Sequence, residues 1–323
     1  MAQALDSRAV PLSFRIGADE NGLGARLGPL IVTAVLARVD DRGARMLSRK
    51  LPKKLAEVLG DSKAMISHGD VALGEAWARA LTAAGAGSPN EVFEQLSLEG
   101  GALLREPCPK HAEKQCWSSS AEAFVADDEL VARIRAACAE LADRGIEILG
   151  AKTSVVCTKR LNQSKSKGHN RFVVDLHSME RLVLALRDQA GEDVTAVCGK
   201  VGAMADYSRF FGPLGGWLHV VLERERERSA YRFPGLGELR FVQDADSHDV
   251  LVMLASLVGK WVRELLMARV ASFYGDDVDA DELREPSGYN DPVTLRFVEA
   301  TALARKKRRI PDTCFERERA GDD

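Results

Sequence analysis

The apolar positions of this chain fall into blocks whose spacing changes along its length. Near the start, FRIGAD and LIVTAVLARV are apolar runs separated by ENGLGARLGP, and the β-branched enrichment with Gly/Pro punctuation predicts a hairpin over residues 14–37. The spacing then turns helical over 69–85, 90–106 and 127–145, most clearly in LVARIRAACAELADRG. A strand is expected over 146–158. The amphipathic run NRFVVDLHSMERLVLALRDQ predicts a helix over 170–189 closed by Gly191, with a strand after it in DVTAVCG. Further strands are expected over 217–232 and 238–244, and apolar helices over 248–273 and 292–306. The polar stretches 50–60, 107–120 and 159–170 read as connections. An early hairpin followed by mixed helices and strands predicts an α/β fold, a mixed sheet flanked by helices. One domain is expected over residues 1–270, with an insertion near 100–125. Residues 271–323 are expected to form a C-terminal helical extension packed on the same domain.

Composition narrows the class. The 323 residues are 46% hydrophobic and 29% charged, with a formal net charge of −3, so any polyanion-binding surface must be a local patch. No apolar run approaches the roughly 20 residues needed to span a bilayer, and MAQALDSRAVPLSF lacks the basic start and apolar core of a signal peptide. A cytoplasmic protein without membrane contact is expected, and a monomer. The six cysteines have no regular spacing and suggest reduced thiols rather than a disulfide framework. Cys108, His111 and Cys116 are three possible zinc ligands, but their spacing matches no standard pattern, and an insertion with free thiols is the better reading.

Candidate chemistry starts at Asp19 and Glu20. Two adjacent acids end an apolar strand, and Gly22, Gly24 and Gly28 follow closely. Clustered carboxylates suit divalent metals, and a glycine turn lets backbone approach a phosphate. Asp61-Ser62-Lys63 places a serine and a lysine where a phosphate could be held. Asp244, Asp246 and Asp249 crowd one strand-to-helix junction, which fits either a helix N-cap or metal ligation. Ser287-Gly288-Tyr289-Asn290-Asp291-Pro292 turns into the last helix, and Tyr289 could stack on a base or sugar. Basic runs at 49–54, 159–171 and 305–309 could track a nucleic-acid backbone.

Taken in order, these motifs resemble those of the ribonuclease HII family, type 2 ribonuclease H. DENGLGARLGP has the length and register of that family's opening loop, Asp61-Ser62-Lys63 matches its Asp-Ser-Lys, and Asp246 matches its late Asp ten residues before the Ser of the helix Ala255-Ser256-Leu257-Val258-Gly259-Lys260. The resemblance implies a ribonuclease H-like fold and divalent-metal-assisted cleavage of RNA in RNA/DNA hybrids or ribonucleotide-containing duplexes, with Mg²⁺ or Mn²⁺. It makes Asp19, Glu20 and Asp246 the catalytic metal ligands, and assigns nucleic-acid contacts to Gly22, Gly24, Ser62, Lys63 and Tyr289. Two positions depart from the pattern. The family's third acid, at the end of a strand, is replaced by Cys198, a soft and poor ligand for Mg²⁺ that leaves Mn²⁺ better placed. Asp175, in the preceding helix, reads as a look-alike rather than the missing ligand, and Asp206, Asp244 or Asp249 could fill the gap. Leu23 stands where the family's glycine loop has Arg, and Arg26 is a possible substitute. These departures keep a second reading open, a nucleic-acid-binding paralogue impaired in catalysis.

Overall fold

The computed structural model describes residues 12–120, 122–202, 204–275 and 286–318. Its centre is a seven-stranded sheet of order β3-β2-β1-β4-β7-β6-β5. The strands are β1 (Ser13–Asn21), β2 (Leu30–Val39), β3 (Ile146–Val156), β4 (Val194–Gly199), β5 (Val220–Arg224), β6 (Arg228–Phe233) and β7 (Gly237–Val242). β1 and β2 are the expected antiparallel hairpin. β1 runs parallel to β4, and β4 parallel to β7. Three adjacent strands therefore end at the same edge, the place where loops of an open α/β sheet form ligand sites.

Helices cover both faces. A front helix, Val250–Phe273, packs its Leu251, Leu254, Leu257 and Val258 with Ile31, Val35 and Val39 of β2. A rear helix, Arg171–Ala190, sets Leu176, Met179, Val183 and Leu186 against Ile16, Ala18, Ala34 and Ala196. Because β2 is covered on both sides, it reads as a continuous apolar run rather than an alternation. A third apolar group joins Leu27, Met267, Tyr274, Phe297 and Phe315, and ties the C-terminal helices to the glycine loop. This is the mixed sheet flanked by helices, with a C-terminal helical segment, that the sequence predicts.

Local departures have physical causes. The stretch 159–170, expected as a loop, is largely the helix Thr158–Ser166. Its Leu161 is buried, and Asn162 donates to the carbonyls of Thr313 and Glu316, so tertiary contacts outweigh a polar composition. The single strand expected over 217–232 is the hairpin of β5 and β6, whose turn hides inside the repeating Glu-Arg run. The helix expected over 90–106 breaks at Ser97–Gly100, where Leu98 donates to the Thr153 carbonyl of β3. The 107–120 excursion carries a short helix, Lys114–Trp117. No helix among the described residues is long and apolar enough to cross a membrane.

Candidate functional site

The site grows from the alternation of side chains along β1. Gly17, Asp19 and Asn21 face the front helix, while Ile16, Ala18 and Glu20 face the rear. The two adjacent acids therefore leave β1 on opposite faces and meet only because the strand ends there. Asp19 is buried and bonded to Ser256 of the front helix. Ser256 in turn shares a hydrogen bond of 2.9 Å with Ser62. Gly199, at the end of β4, leaves room for this carboxylate: a Cβ there would lie 2.6 Å from Asp19 Oδ1.

A cleft of about 550 Å³ opens over this strand edge. Asp19, Glu20 and Asp246 line it, although Asp246 lies far along the chain, and so do Gly22, Gly24, Ser62, Lys63 and Tyr289. The three crowded acids after β7 divide their work. Asp249 caps the front helix, accepting from Leu251 N and Val252 N at 2.9 and 3.1 Å. Asp246 turns toward the cleft, where Lys63 Nζ lies 3.1 Å from its Oδ2. Asp244, in a left-handed backbone conformation at φ 52°, lines the rim.

Electrostatics mark the cleft floor as carboxylate-rich. Burial, with Glu20 and Asp246 close by, raises the Asp19 pKa well above the ordinary range. Glu20 is pushed up to about 8 by burial and then by Asp175. The Lys63 ammonium is favoured by its bond to Asp246.

The structure corrects several sequence expectations. Cys198 pairs in register with Ala18, so it faces the rear helix; it is fully buried and does not line the cleft. Asp175, read as a look-alike, is brought near this corner: its carboxylate is fully buried, is disfavoured by burial and then by Asp19, and itself acts on Glu20. Asp206 bonds Ser208 at 2.6 Å and pairs with Arg224 at 3.2 Å, away from the cleft. Arg26 does not replace the missing arginine, because its Nε is held 2.7 Å from Glu316 outside the acidic cleft. Much of the basic runs is used internally. Arg171 donates to the Leu23 and Ala25 carbonyls, Arg160 pairs with Glu106, and Arg305 lies over Phe315. His111 bonds the Arg309 carbonyl, and Cys108 accepts from the Trp117 indole at 3.3 Å. Among the described residues no three or more Asp, Glu, His or Cys side chains are gathered as a ready metal cage, here or at the 107–120 excursion.

Two arginines carry roles that sequence reasoning did not assign. Arg263, fully buried in the front helix, donates to the Ser287 carbonyl at 2.8 Å and lies 4.5 Å from the Tyr289 ring centroid. It thereby presents that half-exposed ring to the cleft. Arg317, from the C-terminal segment, donates to the carbonyls of Gly28 at 2.9 Å and Gly22 at 2.5 Å. Gly22 needs its freedom here, at φ +89°, with a Cβ falling 2.5 Å from Arg263 Nε. The place of Arg263 shortly after the run Ala255-Ser256-Leu257-Val258-Gly259-Lys260 is the signal that could have flagged it; nothing local flags Arg317.

No protein-family model matches the chain, and no curated protein matches it. Among solved structures it is similar to ribonuclease HII of Archaeoglobus fulgidus, solved as a complex with PCNA, at 18% identity and a TM-score of 0.43 over 96% of this chain and 99% of that one. Bst-RNase HIII in complex with Mn²⁺ is similar at 13% identity and a TM-score of 0.47, over 99% of this chain and 71% of that one. The ribonuclease H2 of Pyrococcus horikoshii is similar at 14% identity and a TM-score of 0.45, over 94% and 92%. At these identities and scores the likeness carries no argument about activity, which rests on the cleft itself.

Proposed function

We propose that this chain is an endonuclease of ribonuclease HII type that cleaves the RNA strand of RNA/DNA hybrids or ribonucleotide-containing duplexes with the help of a divalent metal. The observation that carries the reading is the convergence of Asp19, Glu20 and Asp246 in one cleft with Lys63 and Tyr289. The donor set is all oxygen, which suits Mg²⁺ or Mn²⁺. When bound, such an ion activates water and stabilises the leaving oxygen of a phosphodiester. Asp19, Glu20 and Asp246 would hold it, after Lys63 swings from Asp246; the Lys63 side chain is 80% exposed and has the room. Released, Lys63 is placed to meet a backbone phosphate. Ser62 and Ser256 hold Asp19 in place through neutral hydrogen bonds that add no competing charge. The Gly22–Gly24 turn brings backbone to the cleft wall, where a 2′-hydroxyl could be read. Tyr289 offers a ring face for stacking.

The test is a duplex carrying a single ribonucleotide, incubated with Mg²⁺ or Mn²⁺, against Asp19→Asn. Metal-dependent cleavage lost in the variant supports the reading. A second reading, a binding paralogue impaired in cleavage, is favoured by Cys198 and by the absence of a ready cage among the described residues. Duplex binding by the natural protein without cleavage under either metal would select it.

A further inference from the structure

The front helix covers only part of its face of the sheet. It lies over β1 and β2. On β4 the burial alternates instead: Val194, Ala196 and Cys198 are buried on the rear, while Thr195 and Val197 stay half-exposed on the front. The strand register sets guanidiniums on that open front. Arg15 of β1 pairs with Thr195, Val197 with Arg240 of β7, and Val242 with Arg228 of β6. A wall comes from the segment after β2, where the Leu47 carbonyl accepts from Val250 N at 3.0 Å and keeps Leu47 and Ser48 beside the start of the front helix. These parts enclose a cavity of about 430 Å³ that shares only Ala245 with the acidic cleft.

Charge in this cavity is not closed. Arg15 Nε is buried without a hydrogen-bond partner, and Arg15 forms no ion pair among the described residues. Burial, and then Arg240, disfavour its charge. Arg240 gives Nε and Nη2 to Glu238, but Glu238 is shared with Arg232, and Arg240 Nη1 stays unused. Arg228 comes only to 3.8 Å from Glu223, beyond a hydrogen bond. Among the described residues one acid lines the cavity, Asp249, and its Oδ1 is occupied by Leu251 N and Val252 N. Three guanidiniums with spare donors therefore face one space. A tetrahedral phosphate can give each of them a separate oxygen, whereas a carboxylate is filled by a single fork. Ser48 and Thr195 add hydroxyls to the wall, and Leu47, Val197 and Leu251 give it an apolar side that suits the organic part of a phosphate ester.

We propose that this front-face cavity is a second, phosphate-binding site, in which Arg15, Arg228 and Arg240 hold the phosphate group of a nucleotide. Two sources carry that chemistry: a free nucleoside monophosphate, and a nucleotide of a strand that continues past Ala245 from the cleft. The experiment measures binding of inorganic phosphate and of adenosine 5′-monophosphate to the full chain by calorimetry, in EDTA so that no metal carries phosphate into the cleft. The proteins are the natural chain, Arg15→Gln, Arg228→Ala, Arg232→Ala and Lys63→Ala. Arg228 is exposed on the sheet, so its truncation spares the fold, and Arg232, on the same strand and face, does not line the cavity. The natural chain is expected to bind both anions, the nucleotide more tightly. Arg15→Gln and Arg228→Ala should each weaken nucleotide binding roughly 10-fold or more, with Arg232→Ala and Lys63→Ala within about two-fold of the natural chain. Duplex binding is then followed by anisotropy. Competition by the nucleotide, with duplex affinity lowered in Arg228→Ala, assigns the site to the bound strand; a duplex indifferent to both assigns it to a free nucleotide. Failure of the natural chain to bind either anion overturns the site. Nucleotide affinity unchanged in Arg15→Gln and Arg228→Ala, or lost in Lys63→Ala instead, also overturns it, as does an equal loss in Arg232→Ala, which would trace the binding to general surface charge. The metal reading of the cleft stands under every one of these results, since no metal enters the test.

Discussion

Removing Arg317 tests whether the C-terminal segment holds the glycine loop in place. Arg317 is 2% exposed, and its guanidinium bridges the carbonyls of Gly28 and Gly22 at 2.9 and 2.5 Å, with a longer bond to Leu23 at 3.4 Å. Its own backbone N–H reaches the Arg26 carbonyl at 2.9 Å. Arg317→Ala removes two charge-assisted hydrogen bonds, each worth about 1.5–3 kcal/mol. Gly28 keeps the Thr158 hydroxyl at 3.3 Å, so one of its bonds survives. An opposing effect comes from the arginine itself. Burial, then Arg263 and Arg171 nearby, disfavour its charge, and its Nη2 has no partner, so deletion relieves some of the cost. The net expectation is a loss of about 2–4 kcal/mol. Urea unfolding with an m-value of roughly 3 kcal/mol/M would show this as a midpoint shift of about 1 M at constant m. Arg317→Lys should fall between, because an ammonium cannot bridge two carbonyls as a planar fork does. A midpoint unmoved in the alanine variant, or a lysine variant equal to the natural chain, would refute the reasoning.

Tyr289→Ala should weaken binding of a ribonucleotide-containing duplex by about 1–3 kcal/mol, while Tyr289→Phe keeps most of it; fluorescence anisotropy giving equal losses for both would point to the hydroxyl rather than the ring. In EDTA, the folded chain should lose stability as pH rises from about 4.5 toward 8. Glu20 is pushed up to about 8 from 4.5, so between those values the folded state keeps a proton that the unfolded chain has released, and stability is present at the acid end. Glu20→Gln should flatten that slope in denaturation at a series of pH values; an unchanged slope would place the linkage elsewhere. Gly199→Ala puts a methyl 2.6 Å from Asp19 Oδ1, so it should cost about 1–3 kcal/mol in unfolding and lower Mn²⁺ affinity, and a variant that binds Mn²⁺ normally would show that Asp19 is not held against β4.

What was legible in the sequence is what local pattern encodes. The hairpin, the long helices and the strand-end positions of Asp19, Glu20 and Asp246 follow from apolar spacing and punctuation. The cleft that gathers these acids follows from parallel pairing of β1, β4 and β7, which no single stretch announces. The surroundings of Cys198 and Asp175 were not legible for a related reason. Which face a strand residue takes depends on the register with its neighbour, and the pairing of Cys198 with Ala18 sends the thiol to the rear. Asp175 looks like an ordinary polar residue of an amphipathic helix until the helix is docked, inward stripe down. The basic runs misled because arginine serves carbonyls as readily as phosphates. Arg171 braces the Leu23 and Ala25 carbonyls, and only docking of the C-terminal segment reveals that Arg317 braces the same loop.

The placement of charge around the cleft separates its floor from its rim. The floor carries acids held by neutral groups, as Ser256 holds Asp19. The rim carries cations already tied to the protein. Lys63 is on Asp246, Lys260 on the Ser62 carbonyl at 3.2 Å, Lys200 on the Glu225 carbonyl at 3.0 Å, and Arg263 on Ser287 and Glu264. If the floor carboxylates had been neutralised by these cations, the cleft would be a closed set of ion pairs with nothing left to bind. Instead the cations are satisfied mostly by carbonyls, which leaves the floor carboxyls without counter-charges, their ionisation suppressed by burial and by one another, and the rim positive. Such an arrangement favours a small cation that displaces the floor protons and a polyanion across the rim at once, since each screens the repulsion felt by the other. The consequence is coupled binding: duplex affinity and Mn²⁺ affinity should each rise in the presence of the other, by the same factor. Titrations in which duplex affinity is indifferent to Mn²⁺ would show that floor and rim act independently.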